Sequence, residues 1–368
     1  MSRSFWQTLR ADFPLTKKIV YLDHASGGPI PRPVYERIKE HAAEHLLYGD
    51  LYWGKWIKRR EEIREKVARF IHADPSEITF IQSTSQGMNR IAELLASQGD
   101  VLTNESEFPS STLPWIWRGA KMIYQKPERG KIFLSTLQSL LRPSVKTVLT
   151  SFVQYATGFR QDLETLGKIK GNRYLVVNAT QGLGALPIDL RKWNIDFLCS
   201  NSYKWLLAGY GGGILYIRRK WLKKFRPASI GWRSMKRPEL MDNHRIDIKA
   251  DASRYEWGCP SFPSIFALGA AIDYFTGIGQ EKIEKRILGL TDHAVRGLEK
   301  KGFEILSPRD GESCSGIVVF RVKDAEKKCR ELLRRGIYVS PRGGGIRLAP
   351  HFYNTFEEID QFLKVLSC

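Results

Sequence analysis

Cysteine pairs of metal-binding type are missing from this sequence. Its five cysteines, Cys199, Cys259, Cys314, Cys329 and Cys368, stand apart with no C-x-x-C spacing. That pattern offers no structural zinc site, so no metal is expected, and it suits a reducing cytoplasm. Long apolar runs are missing too. The longest, IFALGAAIDYF, is too short to span a bilayer and carries Asp273, so no membrane association is expected. The first twenty residues hold no apolar signal-peptide core, so a cytoplasmic location is expected. Acidic residues are scarce: 39 Asp+Glu stand against 58 Lys+Arg, a net charge of +19. Such a surplus favours acidic partners. The basic residues are dispersed in short groups such as Lys58-Arg59-Arg60, and no helix-turn-helix, zinc-finger or RNA-binding signature accompanies them. Nucleic acid is therefore not an expected partner.

What is present centres on DFLCSNSYKWLLAGYGGG, residues 196–213. It reads as a buried strand, a polar turn carrying Lys204, a glycine-rich bend and a second apolar strand at 214–217. A lysine between Tyr203 and Trp205, so placed, is poorly suited to a solvated surface charge. Desolvation lowers a lysine's pKa and makes its amine a nucleophile, able to form a Schiff base with a carbonyl. The window alone also suits a lysine that caps the strand and snorkels outward.

In chain order, residues 1–20 read as an N-terminal helix and arm. YLDHASGGPIPRPV follows as a short strand, a Gly/Pro turn and a helix start. Residues 56–72 are strongly helical and are stopped by Asp74-Pro75. The strand ITFIQ runs into STSQGMNRIAELLA, a helix beginning near Ser85. Hydroxyls at such a turn cap the helix, and they also leave backbone N–H groups and the positive dipole end where an anion can sit. Strand, loop and helix alternate from 78 to 217, which argues for a mostly parallel sheet with ligands at the carboxyl ends of its strands. Ser85, Phe108, Asn178 and Lys204 each fall just after a predicted strand. Beyond 263 the pattern is long helices followed by short strands, the signature of a smaller α+β region.

Asn178, Gln181, Pro187, Asp189, Tyr203 and Lys204 occur in an order and spacing that resembles the class V aminotransferase family of pyridoxal-phosphate enzymes. Cysteine desulfurases, isopenicillin N epimerase-like proteins and kynureninases belong to that family. The resemblance covers nearly the whole chain. It implies fold type I: an arm at 1–20, a large α/β domain at 21–262 with a seven-stranded-type sheet, and a small α+β domain at 263–368, paired in a homodimer. It further implies pyridoxal 5'-phosphate on Lys204, with the phosphate on Thr84, Ser85 and the Gln86 N–H. Phe108 would stack on the ring, while Gln154 and Gln181 would reach its hydroxyl and Tyr203 would flank the lysine. Asn178 stands where the family has an aspartate for the ring nitrogen. Cys259 stands where a threonine reaches the partner's cofactor phosphate. His24 would lie in the substrate pocket, and Arg347 would fork onto the α-carboxylate of an amino-acid substrate.

The activity expected from the sequence is that of a class V aminotransferase or an isopenicillin N epimerase-like lyase. Persulfide-forming desulfurases carry a cysteine in the loop before the Arg347 position. Residues 339–346 hold none, so that activity is not expected. The alternative is a protein that keeps the fold without catalysis and serves as a binding partner, to which Asn178 and Cys259 point.

Overall fold

The computed structural model describes residues 5–366. Strand β1 (Val20–Tyr21) precedes seven strands of one sheet: β2 (Ile78–Ile81), β3 (Asp100–Asn104), β4 (Met122–Gln125), β5 (Val145–Ser151), β6 (Tyr174–Asn178), β7 (Phe197–Asn201) and β8 (Gly213–Ile217). Four more lie in the C-terminal part: β9 (Val318–Phe320), β10 (Ile337–Tyr338), β11 (Ser340–Arg342) and β12 (Gly345–Leu348). The main sheet runs β2-β8-β7-β6-β5-β3-β4. β4, β3, β5, β6 and β7 pair in parallel, and β8 is antiparallel to both β7 and β2. The expected mostly parallel, seven-stranded sheet is thus present. β8 can reverse direction because only a short bend separates it from β7, whereas a parallel pair needs a crossover. Every residue of β6, β7 and β8 is buried, as the near-continuous apolar runs there require of a sheet covered on both faces.

Helices Arg32–Tyr48 and Trp53–Phe70 pack against helix Phe262–Ile278. That third helix is apolar nearly all round and buried along most of its length, as a helix with neighbours on several sides must be. The boundary expected at 262/263 therefore does not coincide with a break in packing. The arm boundary also shifts. β1 pairs in parallel with β10, Val20 opposite Ile337, so the start of the chain completes the C-terminal part. A second core gathers Val20, Leu22, Leu290, Phe320, Leu348 and Phe362 beside the antiparallel sheet β11-β12-β9. β2 runs in the same direction as the parallel set. Its end and those of β3, β5, β6 and β7 therefore open on one edge, where ligands bind in such sheets.

Candidate active site

The turn after β7 is held from inside. Ser202 Oγ donates to the carbonyls of Gly209 and Gly212, both at 2.9 Å, and the Ala208 N–H returns to the Ser202 carbonyl. The Gly27-Gly28 turn lies directly on it. Gly28 N–H donates to the Tyr203 carbonyl at 2.8 Å. A Cβ on Gly28 would come within 2.5 Å of the Lys204 carbonyl oxygen and 2.3 Å of Leu207 Cδ2. Only glycine permits this approach. The Lys204 amine is left without hydrogen-bond or ion-pair partner among the described residues, with Nζ 5.8 Å from the ring centroids of both Phe108 and Tyr203. Burial pushes its pKa down to about 8; Arg347 adds to the shift and Asp23 opposes it. This is the chemistry of an available amine rather than of a paired cation.

The amine opens on a cavity lined by Thr84, Ser85, Phe108, Tyr155, Asn178, Thr180, Gln181, Asn201 and Tyr203. Thr84 and Ser85 start helix Thr84–Leu95, which Ser83 caps by accepting from Gln86 N–H at 3.2 Å. The first N–H groups of a helix have no intrahelical acceptor, so this end of the cavity suits an anion. Thr84 and Thr180 share a hydroxyl hydrogen bond of 2.7 Å. Phe108 forms one wall, edge-on to Tyr155 at 5.1 Å. Asn178 donates through Nδ2 to Ser111 Oγ at 2.9 Å and accepts from Thr180 N–H at 3.0 Å, so its amide is fixed in place. Gln181 is fixed as firmly, donating to the Ala25 carbonyl and accepting from Trp205 Nε1. Tyr203 stacks on Tyr210 with centroids 4.3 Å apart.

Five expected residues do not line this cavity. Gln86 and Cys259 line another, on the far side of the same helix start. Gln86 spends its side-chain oxygen on the Gln82 N–H. Gln154 is fully buried, and its Nε2 donates to Glu107. His24 is fully buried as well. Its ring nitrogens meet the Ala349 carbonyl and the Tyr353 hydroxyl, both at 2.8 Å, and burial pushes its pKa down to about 3. It is a neutral core histidine, not a substrate contact. Arg347 stands behind Tyr155, whose carbonyl accepts from Nη1 at 3.2 Å. Nη2 is shared between Ser26 Oγ at 2.6 Å and Asp23 Oδ1 at 3.2 Å, and Nε has no acceptor.

Sequence reasoning missed Glu107 and Asp23. Glu107 gathers donors from Asn104, from the Ser151 N–H and hydroxyl, and from Gln154, tying the ends of β3 and β5 together beside Phe108. Its place immediately before Phe108-Pro109 was the only signal available. Asp23 follows β1 in sequence, yet its partner Arg347 lies 324 positions away.

A lysine turn at the edge of a seven-stranded, mostly parallel sheet, facing a helix N-terminus and an aromatic wall, defines the fold type I class of pyridoxal-phosphate enzymes. The sequence pattern described as Aminotransferase class-V matches residues 20–362. The chain belongs to that family, and it is a pyridoxal-phosphate-dependent enzyme. It is 29% identical to a probable cysteine desulfurase of Pyrococcus abyssi, across 98% of this chain and 96% of that one. It is also 29% identical to the uncharacterized aminotransferase YcbU of Bacillus subtilis, across 94% and 93%. The apo structure of a cysteine desulfurase from Thermococcus onnurineus NA1 superposes with a TM-score of 0.88 at 27% identity, covering 99% of this chain and 98% of the other.

These likenesses correct the expected activity. The absence of a cysteine from residues 339–346 argued against a desulfurase and for an aminotransferase or epimerase-like lyase, with a fold without catalysis as the alternative. Whole-length similarity to desulfurases, in sequence and in structure, outweighs one missing side chain. A thiol that receives sulfur can come from another element or another molecule, so a single loop does not decide the chemistry.

Proposed function

We propose that the chain breaks the Cβ–Sγ bond of cysteine or a closely related amino acid, with pyridoxal phosphate attached at Lys204. The observation that carries this reading is the Lys204 amine, unpaired, shifted to about 8 and facing Phe108. The desulfurase relatives support the choice of a sulfur amino acid. Bound there, pyridoxal phosphate supplies an electron sink that makes bonds at Cα and Cβ of an amino acid breakable. Thr84 and Ser85 receive its phosphate at the helix N-terminus. Phe108 covers the ring, while Asn178 and Gln181 border its edge with amides already oriented by Ser111, Thr180, Ala25 and Trp205. Lys204 moves the proton at Cα as general base and acid. Arg347, held behind Tyr155, receives the α-carboxylate by exchanging its contacts to Ser26 and Asp23, the second of which is long at 3.2 Å.

The chain works as a homodimer in this reading. Cys259 stands outside its own chain's cavity, and Leu46, Leu47 and Leu51 form an exposed apolar group suited to burial. The free cysteines Cys199, Cys259, Cys314 and Cys329 accord with a reducing cytoplasm.

The test is product analysis with L-cysteine and an added acceptor thiol. Sulfur passes to the thiol as a persulfide, Cβ takes up a proton, and alanine accumulates in equal amount. No sulfur release from cysteine or cystine, alongside faster amino transfer or epimerisation of another amino acid, would sink the proposal.

A further inference from the structure

A second cavity, of about 220 Å³, lies across the start of helix Thr84–Leu95 from the Lys204 site. Arg90, on that helix, lines it and is only 5% exposed. Its guanidinium has no hydrogen-bond or ion-pair acceptor among the described residues, and Nε and Nη1 are buried without partners. Trp257 stacks on it, 4.3 Å from the guanidinium carbon, but an aromatic face satisfies none of its N–H donors. Burial pushes Arg90 down to about 10 against the longer-range pull of Glu256, Glu93 and Tyr255.

One carboxylate borders the cavity, that of Glu256, and it is already taken. It accepts from Arg64 at 2.7 and 3.0 Å and from the Phe80 N–H at 3.0 Å, and Arg60 stands 3.4 Å away. Glu61 in turn neutralises Arg60 and Arg64. The cluster therefore closes on itself, and Glu93, the other carboxylate that acts on Arg90, is paired with Arg118 at 2.7 Å, so Arg90 is left without a contact partner. A buried charge is normally paired, and one retained without a partner calls for a partner that is not part of the chain. Arg233, likewise buried and with its Nε unsatisfied, is coupled to the same Glu256, so cationic charge near the site exceeds what the chain's own carboxylates offer. Trp257, Pro260 and Ile265 give it apolar walls, while Gln82 and Ser261 offer further polar atoms.

We propose that this cavity is a carboxylate-binding site centred on Arg90, distinct from the Lys204 cavity of the same chain. The carboxylate comes from a small molecule with an apolar body or from an acidic side chain of a second copy of this chain. Neither case depends on the reaction catalysed at Lys204.

The experiment uses the holoenzyme, with benzoate as the probe in calorimetry and sedimentation as the measure of self-association. Arg90→Leu removes the charge, and Arg90→Lys keeps it in a different shape. For a small-molecule site, benzoate binds the parent without altering the cofactor's absorbance. Arg90→Leu then weakens that binding about tenfold or more, and Arg90→Lys recovers part of it. For a carboxylate from a second copy, benzoate gives no heat, and Arg90→Leu raises the dimer dissociation constant by a similar factor with Arg90→Lys intermediate. Because both variants are compared as folded holoenzymes with the cofactor spectrum as the check, a folding failure in Arg90→Leu leaves Arg90→Lys against the parent as the deciding pair. Equal benzoate binding and equal self-association in parent and variants would overturn the proposal.

Discussion

Two lysines in this chain, Lys170 fully buried and Lys204 half-buried, have opposite surroundings. Lys170 sits 2.7 Å from Asp196, with side chains 3% and 0% exposed, and it also donates to the Arg173 carbonyl. Lys204 has no partner among the described residues and faces aromatic rings across an open cavity. Burial lowers the pKa of both, but at Lys170 the carboxylate opposes it directly. The paired lysine anchors the loop between helix Leu163–Ile169 and β6 to the start of β7. The unpaired one is kept reactive at a cost in stability. Burial alone does not mark a functional lysine; burial without a counter-charge does.

The largest expected break in this comparison is Lys204→Ala. It removes the attachment point and the proton carrier together, so turnover should fall about 10²–10⁴-fold. Stability should hold or rise, because an unpaired, half-buried cation is lost. A variant that unfolds, or that keeps parental turnover, contradicts the assignment.

Titration should separate the pair next. Acetylation of Lys204 in the cofactor-free protein, followed by mass spectrometry, should speed up about tenfold per pH unit and level off near pH 8, well below the 10.5 of an ordinary lysine. The same depression makes the unfolded chain bind more protons between about pH 8 and 10.5. Stability of the parent relative to Lys204→Ala should therefore rise with pH across that window. A rate still climbing at pH 10 would place the amine in solvent.

Lys170→Met should cost stability and spare the chemistry. Breaking a buried ion pair costs about 3–5 kcal/mol. The lower end is expected here, since Asp196 keeps the Leu175 N–H at 3.0 Å and Trp221 Nε1 at 2.7 Å. Denaturant melts should show the loss, and turnover per folded molecule should be unchanged.

How much of this was legible beforehand follows from the range of each contact. The main sheet was readable because β2 to β8 are short apolar runs with turn residues at their ends, a local signal. Lys204 was readable from its place after one such run. His24 was misplaced because its burial depends on Tyr353 and Ala349, more than 300 residues away, and nothing local tells a core histidine from a pocket histidine. The Asp23–Arg347 pair was hidden for the same reason. β1 is two residues long, so its pairing with β10 leaves no periodicity to detect. The desulfurase relationship was lost by weighting one loop above the pattern of the whole chain.

The smallest expected effect sharpens the comparison at the opposite wall of the cavity. Asn178 is 4% exposed and makes two hydrogen bonds, to Ser111 Oγ and from Thr180 N–H. An aspartate of the same shape can accept both, because the serine hydroxyl can turn to donate. Burying its charge with no cation beside it should still cost the cofactor-free protein about 1–2 kcal/mol. Adding pyridoxal phosphate changes the balance if the ring nitrogen lies at this wall, since a carboxylate there favours its protonated form. A neighbouring cation typically lowers a carboxylate pKa by about 1–3 units, and each unit is about 1.4 kcal/mol. Asn178→Asp should therefore be less stable than the parent without the cofactor and equal or better with it. Thermal melts of both proteins, with and without pyridoxal phosphate, read the difference directly. A stability gap unchanged by the cofactor would mean that position 178 does not face the ring nitrogen, and that its amide serves only to hold Ser111 and Thr180 in place.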